Sequence, residues 1–164
     1  MIEMKLPLEG VRILDSTYVV AMLYGGGVMT DLGAEVIKIE GPSPVDISRR
    51  LTAPQGPDGE NGGDYWNKAP GFNNMNRGKR SLTLDMSRQE GRDLFIELIK
   101  ISDIIMENFT PRVMKRWNLT YADIKTIKPA IIMLSNTGYG HSDGQYASYP
   151  GPATTIKASN GSPS

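Results

Sequence analysis

Between Asn76 and Phe109 the chain reads NRGKRSLTLDMSRQEGRDLFIELIKISDIIMENF, and this run limits the fold more than any other stretch. It opens on a basic turn (Arg77, Lys79, Arg80) and a short strand pattern, Ser81 to Leu84. Apolar residues then recur at helical spacing from about Ser87 to Lys100. Ser87 reads as an N-cap with Glu90 as its capping-box partner, and Leu94, Phe95, Leu98 and Ile99 as a core face. A buried strand, about Asp103 to Met106, comes next and ends on Glu107-Asn108-Phe109. Strand, helix and strand in that order make a βαβ-like unit. In open α/β sheets ligands sit at the carboxyl ends of strands. Those ends carry Leu84-Asp85-Met86-Ser87 and Glu107-Asn108-Phe109, so a ligand is expected there.

The flanking sequence extends the same pattern. Residues 11–15, VRILD, read as a first buried strand, with Asp15, Ser16 and Thr17 able to cap the next element. Val19 to Leu32 is apolar and small, a helix interrupted by Gly25, Gly26 and Gly27. Glycines there cost roughly 1 kcal/mol each relative to Ala, so they imply close packing or a ligand near the backbone. No GxGxxG occurs, so a dinucleotide fingerprint is absent. Gly33 closes the helix as its C′ residue. A second strand, 35–39, leads to Glu40 and Gly41, where a nucleotide fold meets a ribose or an ordinary fold makes a turn.

Residues 41–75 are rich in Gly, Pro and Asn and show no period, so a long loop is expected, pinned by Trp66 and Phe72. Pro111 suits the first turn of a helix, PRVMKRW, on which Arg112 and Arg116 share a face. That face reads either as basic surface or as a phosphate contact, and the turn at 77–80 carries the same two readings. Thr120 is a candidate N-cap for a short helix at Tyr121. Residues 130–134, AIIML, read as a further buried strand, and a glycine-rich loop runs from Thr137 to Gly151. His141, the only histidine, lies in that loop without a His or Cys neighbour, so no metal site is expected.

Composition narrows the function classes. Lys plus Arg equals Asp plus Glu at 18 each, so no overall field recruits nucleic acid or an acidic membrane. Cysteine is absent, which removes thiolate chemistry and disulfides and fits a reducing cytoplasm. No run of about 18 apolar residues suggests a membrane span, and MIEMKLPLEG is too short and acidic for a signal peptide. The 164 residues suit one domain. The tail from Ala158 to Ser164 shows no closing element, which suggests a fragment.

Taken in order, these motifs resemble the N-terminal part of class III coenzyme-A transferases, a family that includes formyl-CoA transferase, carnitine-type CoA-transferases and α-methylacyl-CoA racemase. The resemblance is carried by Leu8 to Asp15, Asp31 to Glu40, Asn76 to Asp85, Glu90-Gly91, Asp103 to Phe109 with Pro111, Lys128-Pro129 and Gly138-Tyr139-Gly140. It implies an α/β fold: a Rossmann-like, mostly parallel open sheet with helices on both faces. Residues 1–164 would be the incomplete N-terminal segment of a large CoA-binding domain, without its smaller domain and C-terminal return. Full-length members are interlocked homodimers.

The resemblance also implies site residues. Val20 and Ala21 match positions near CoA, although a polar residue often stands where Val20 does. Leu84, Met86 and Ser87 match the adenine-side segment, though a basic residue is common at the position of Ser87. Asn108, Phe109 and Thr110 match the segment after the buried strand, and Arg116 a phosphate contact. Gly41 stands where an Arg is common, and Arg77 or Arg112 are candidates to compensate. The nucleophilic Asp of these transferases, which forms an acyl anhydride and then a CoA thioester, is expected beyond residue 164, so no catalytic residue is assigned here. Pro152 and Ala153 stand where the racemase branch has its His-Asp pair, which disfavours that activity.

The expected ligand is CoA or acyl-CoA with a carboxylic acid, without metal, nucleic acid or membrane. The alternatives are a catalytically silent CoA-binding subunit beside an active partner, or a truncated interaction module. A generic Rossmann oxidoreductase is disfavoured.

Overall fold

The computed structural model describes residues 5–43, 45–51, 65–141, 144–147, 149, 151 and 156. Pro152, Ala153 and the tail from Ala158 lie outside them. In chain order the elements are β1 (Arg12–Asp15), α1 (Ala21–Asp31), β2 (Glu35–Glu40), α2 (Ser48–Leu51), a 3-10 turn (Tyr65–Lys68), α3 (Pro70–Met75) and β3 (Arg80–Thr83). Then come α4 (Gln89–Lys100), β4 (Ile104–Glu107), α5 (Pro111–Trp117), α6 (Tyr121–Ile127) and β5 (Ile132–Ser135).

The five strands form one sheet in the order β3-β2-β1-β4-β5, and every pairing is parallel. The chain walks outward from β1 to β3, then crosses back through α4 to start β4 on the other side of β1. That reversal is a topological switch point, and it opens a crevice beyond the carboxyl ends of β1 and β4.

Alternation along the strands sends side chains to two faces. One face packs Leu14, Ile39 and Ile105 against Phe95 and Ile99 of α4, Met114 of α5 and Ile124 of α6. The other packs Ile13, Val36 and Met106 against Met22 and Met29 of α1. Gly26 and Gly27 of α1 explain themselves here. A Cβ on Gly26 would lie 2.8 Å from Asp15 Oδ2, and one on Gly27 would lie 2.9 Å from the Met75 carbonyl. Close packing is therefore what these glycines serve.

Local signals decide most helix ends. Gly33 (φ +97°) follows α1, Pro111 opens α5, and Asn118 closes it in the left-handed region (φ 55°). Thr120 caps α6, and Asp123 completes a capping box.

Several expectations are corrected. Asp15, Ser16 and Thr17 do not cap α1, whose N-cap is Val20, with no side-chain bond. Helix α4 begins at Gln89 after Arg88, again without a side-chain cap; the Ser87 hydroxyl donates to Asp85 instead. Leu94 is exposed, because the buried stripe of α4 is Gly91, Phe95 and Ile99. Phe72 is buried, whereas Trp66 is 39% exposed. The loop expected at 41–75 contains α2, the 3-10 turn and α3. Strand β5 is an edge strand, with Ile132 and Leu134 exposed rather than buried.

Candidate functional site at the switch point

The crevice is built on a buried polar network at the ends of β1 and β2. Asp15, fully buried, accepts from Lys79 Nζ at 2.7 Å and from the Thr17 N–H and hydroxyl. Lys38 donates to the Thr17 carbonyl, and its ammonium lies 4.7 Å from the centroid of the Tyr18 ring. Glu40 pairs with Arg49 at 2.8 Å and accepts the Asp46 N–H. Asp46 in turn accepts the Val19 N–H and both donors of Ser48. Three cations thus face three carboxylates, so the cluster is close to neutral. Burial draws Lys79 and Lys38 below the usual ammonium value, and the neighbouring carboxylates oppose it.

This network holds the turn after β1 in an unusual shape. Val19 has φ 70°, the left-handed region that a β-branched residue avoids; such strain costs of order 1–3 kcal/mol and persists only where surroundings impose it. Asp46 imposes it from one side. Asn108 does so from the other, accepting the Tyr18 N–H at 2.9 Å and donating to the Tyr18 carbonyl at 2.7 Å. The Tyr18 hydroxyl accepts the Gly41 N–H at 2.7 Å, which ties β1 to the end of β2.

Burial alone would raise the Glu40 carboxyl, but Arg49, the Asp46 N–H and Lys38 hold it below its ordinary 4.5. Its folded value lies under its unfolded value, so its contribution is complete above about 4.5 and is lost as pH falls through the folded value. A Glu40→Gln variant should therefore lose stability less steeply on acidification than the parent. Equal slopes in acid-unfolding curves would contradict this.

A cavity of about 310 Å³ opens beside the turn. Ser16 and Tyr18, just past β1, and Ile39, Gly41 and Ser43, at and just past the end of β2, form one wall. Leu84, Asp85, Met86 and Ser87, following β3, form another, and Phe109 and Trp117 the third. The Phe109 ring meets Tyr18 at 5.8 Å and Trp117 edge-on at 5.0 Å. No Lys, Arg or His among the described residues lines this cavity, and Asp85 is its one acidic residue. It is shaped for a flat, largely apolar group.

Of the sequence-derived candidates, Leu84, Met86, Ser87 and Phe109 come together in this cavity. Val20 and Ala21 are exposed at the start of α1, and Thr110 is the N-cap of α5. Asn108 is committed to Tyr18. Arg116 is exposed on α5, directly before Trp117, and Arg112 is exposed one turn earlier. The basic turn is neutralised within the fold: Arg77 pairs with Asp31, Lys79 with Asp15 and Arg80 with Glu35. His141 Nε2 lies 3.3 Å from buried Glu107. Sequence reasoning missed Tyr18 and Trp117. Their only signal was an aromatic placed just past a strand or at the end of a helix.

The CoA-transferase family III profile matches residues 8–164. The chain belongs to this family. It is 34% identical over 155 residues to the acetyl-CoA:oxalate CoA-transferase of Acetobacter aceti, covering 94% of this chain and 37% of that protein. It is 36% identical over 156 residues to the beta subunit of the succinyl-CoA–L-malate CoA-transferase of Chloroflexus aurantiacus, covering 95% and 36%. Among solved structures, a Mycobacterium tuberculosis protein, Rv3272, superposes with a TM-score of 0.80 at 33% identity, over 95% of this chain and 40% of that one. A CAIB/BAIF family protein from Brucella suis gives 0.78 at 34%, over 96% and 40%. The chain thus spans well under half the length of these relatives.

Proposed function

We propose that this segment supplies the nucleotide end of the CoA site in an acyl-CoA:carboxylate CoA-transferase, as the N-terminal part of its large domain. One observation carries the reading. The apolar cavity at the switch point is walled by Leu84, Met86, Ser87 and Phe109, residues that family resemblance assigns to CoA. Membership of the family supports it, as do relatives named for moving CoA to oxalate or malate.

In this reading the adenine lies between Leu84, Met86 and the Phe109–Trp117 pair. The phosphates extend toward α5, where Arg116 meets them, because a cavity with no cation and one carboxylate repels them. Val20, Ala21 and Thr110 border the path of the pantetheine arm, and Asn108 acts through Tyr18. The nucleophilic Asp lies beyond residue 164. It attacks the thioester carbonyl carbon, expels the CoA thiolate and leaves a mixed anhydride. The thiolate then attacks the anhydride, releases the first acid and forms an enzyme CoA thioester, which passes CoA to the second acid. The protein works in the cytoplasm as an interlocked homodimer.

A second reading, a catalytically silent subunit paired with an active one, draws on the Chloroflexus relatives, which are named as alpha and beta subunits. Acyl-CoA:carboxylate exchange by the purified full-length protein alone separates the two.

Full-length protein carrying Arg116→Ala should bind CoA about 10–100-fold more weakly, the expected loss of a hydrogen bond to a charged group. Asn108→Ala should also weaken binding, through Tyr18. Unchanged affinity in both, measured by titration calorimetry, would remove the site assignment.

A further inference from the structure

The cavity's one charged wall residue is its most specific feature. Ile39, Leu84, Met86, Phe109 and Trp117 give apolar or aromatic surface that accepts any flat ring. Asp85 does not. Its Oδ1 accepts the Ser87 N–H at 3.0 Å and the Ser87 hydroxyl at 2.6 Å. Its Oδ2 has no partner among the described residues. The two Ser87 bonds hold the carboxyl below its usual range, so it is an ionised, acceptor-only group. A ligand group beside it must offer an N–H or O–H and carry no negative charge.

Taken with the CoA reading above, on which this rests, the part of CoA that this cavity would hold meets both conditions. Adenine is flat and uncharged, and its 6-amino group is a hydrogen-bond donor. We propose that Asp85 selects the adenine ring of CoA through its 6-amino group, so that the site discriminates against the deaminated analogue. That analogue carries an oxygen acceptor at position 6, which faces the carboxylate with no proton between them. The serines of the wall do not discriminate in this way, because a hydroxyl both donates and accepts.

An Asp85→Asn substitution sharpens the test. The amide oxygen keeps the two bonds from Ser87, while the amide nitrogen presents a donor where Oδ2 stood. Preference should then shift toward the 6-oxo ring.

The experiment measures the affinity of the full-length protein for CoA and for deamino-CoA, in the parent and in the Asp85→Asn variant. Binding is followed by calorimetry. The parent is expected to bind CoA about 10-fold or more tightly than deamino-CoA, and Asp85→Asn to abolish or invert that ratio. Equal affinities in the parent overturn the selection by Asp85 and leave the CoA reading standing. An unaltered ratio in a folded Asp85→Asn protein does the same. No measurable CoA binding by the parent overturns the CoA reading and this inference together. If the variant does not fold, the parent's ratio for the two ligands decides, because it needs no substitution.

Discussion

A Lys79→Met variant is expected to lose about 3–5 kcal/mol of folding free energy, the usual cost of removing one partner from a buried ion pair. Lys79 and Asp15 lie 2.7 Å apart, with side-chain exposures of 1% and 0%. Without the ammonium, Asp15 remains a buried carboxylate whose donors all come from Thr17. The cost is that of an uncompensated charge, not the net value of the pair. A double variant, Asp15→Leu with Lys79→Met, should recover much of the loss, because apolar replacement of both partners is often close to neutral. Lys79 also donates to the Leu23 carbonyl and to Asn76, so recovery will be incomplete. Urea unfolding of the full-length protein measures both variants. A loss below about 1 kcal/mol in the single variant, a value typical of exposed pairs, would mean that water reaches Asp15.

Gly91→Ala is expected to damage the fold and the site together. A Cβ at Gly91 would lie 2.0 Å from the Asp85 carbonyl oxygen and 2.7 Å from its carbon. Both are backbone atoms, so no side-chain rotation relieves the clash. Either α4 moves away from the sheet or the 85–87 segment moves. Overpacking of this kind costs about 1–3 kcal/mol, and sometimes more. Asp85, Met86 and Ser87 wall the cavity, so CoA affinity should fall by about 10-fold or more as well. Gly25→Ala is the matching control. Nothing lies within 4 Å of a Cβ there, and removing glycine from a helix gains about 0.5–1 kcal/mol. The melting temperatures of the two variants should move in opposite directions, and only Gly91→Ala should lose CoA affinity. Normal CoA binding by Gly91→Ala would mean that the wall does not depend on the start of α4.

Much of the architecture was legible because it is written in local pattern. Apolar runs at 11–15, 35–39 and 103–106 gave three of the strands to within a residue or so. Gly33, Pro111 and Thr120 marked helix ends through backbone geometry and hydrogen bonding within a few residues. Motif order, rather than periodicity, brought nine residues forward as CoA contacts; Leu84, Met86, Ser87 and Phe109 line one cavity, while Val20, Ala21, Asn108, Thr110 and Arg116 do not.

What the sequence by itself determined is therefore the parallel α/β frame, its family and the strand ends beside which a cavity opens. Only the tertiary structure decided how those ends are used. Lys79 read as a surface cation or a phosphate contact until the fold brought it to Asp15, 64 residues earlier in the chain. Asn108 read as a ligand contact with no partner in the chain; the β1–β4 pairing sets its side chain against the Tyr18 backbone, 90 residues away. Leu94 read as core until the contact of Gly91 with Asp85 fixed the rotation of α4. The physical reason is one of range. Period and capping depend on neighbours three or four residues apart, whereas the partner of a charge or an amide depends on strand order and register, which no local window contains.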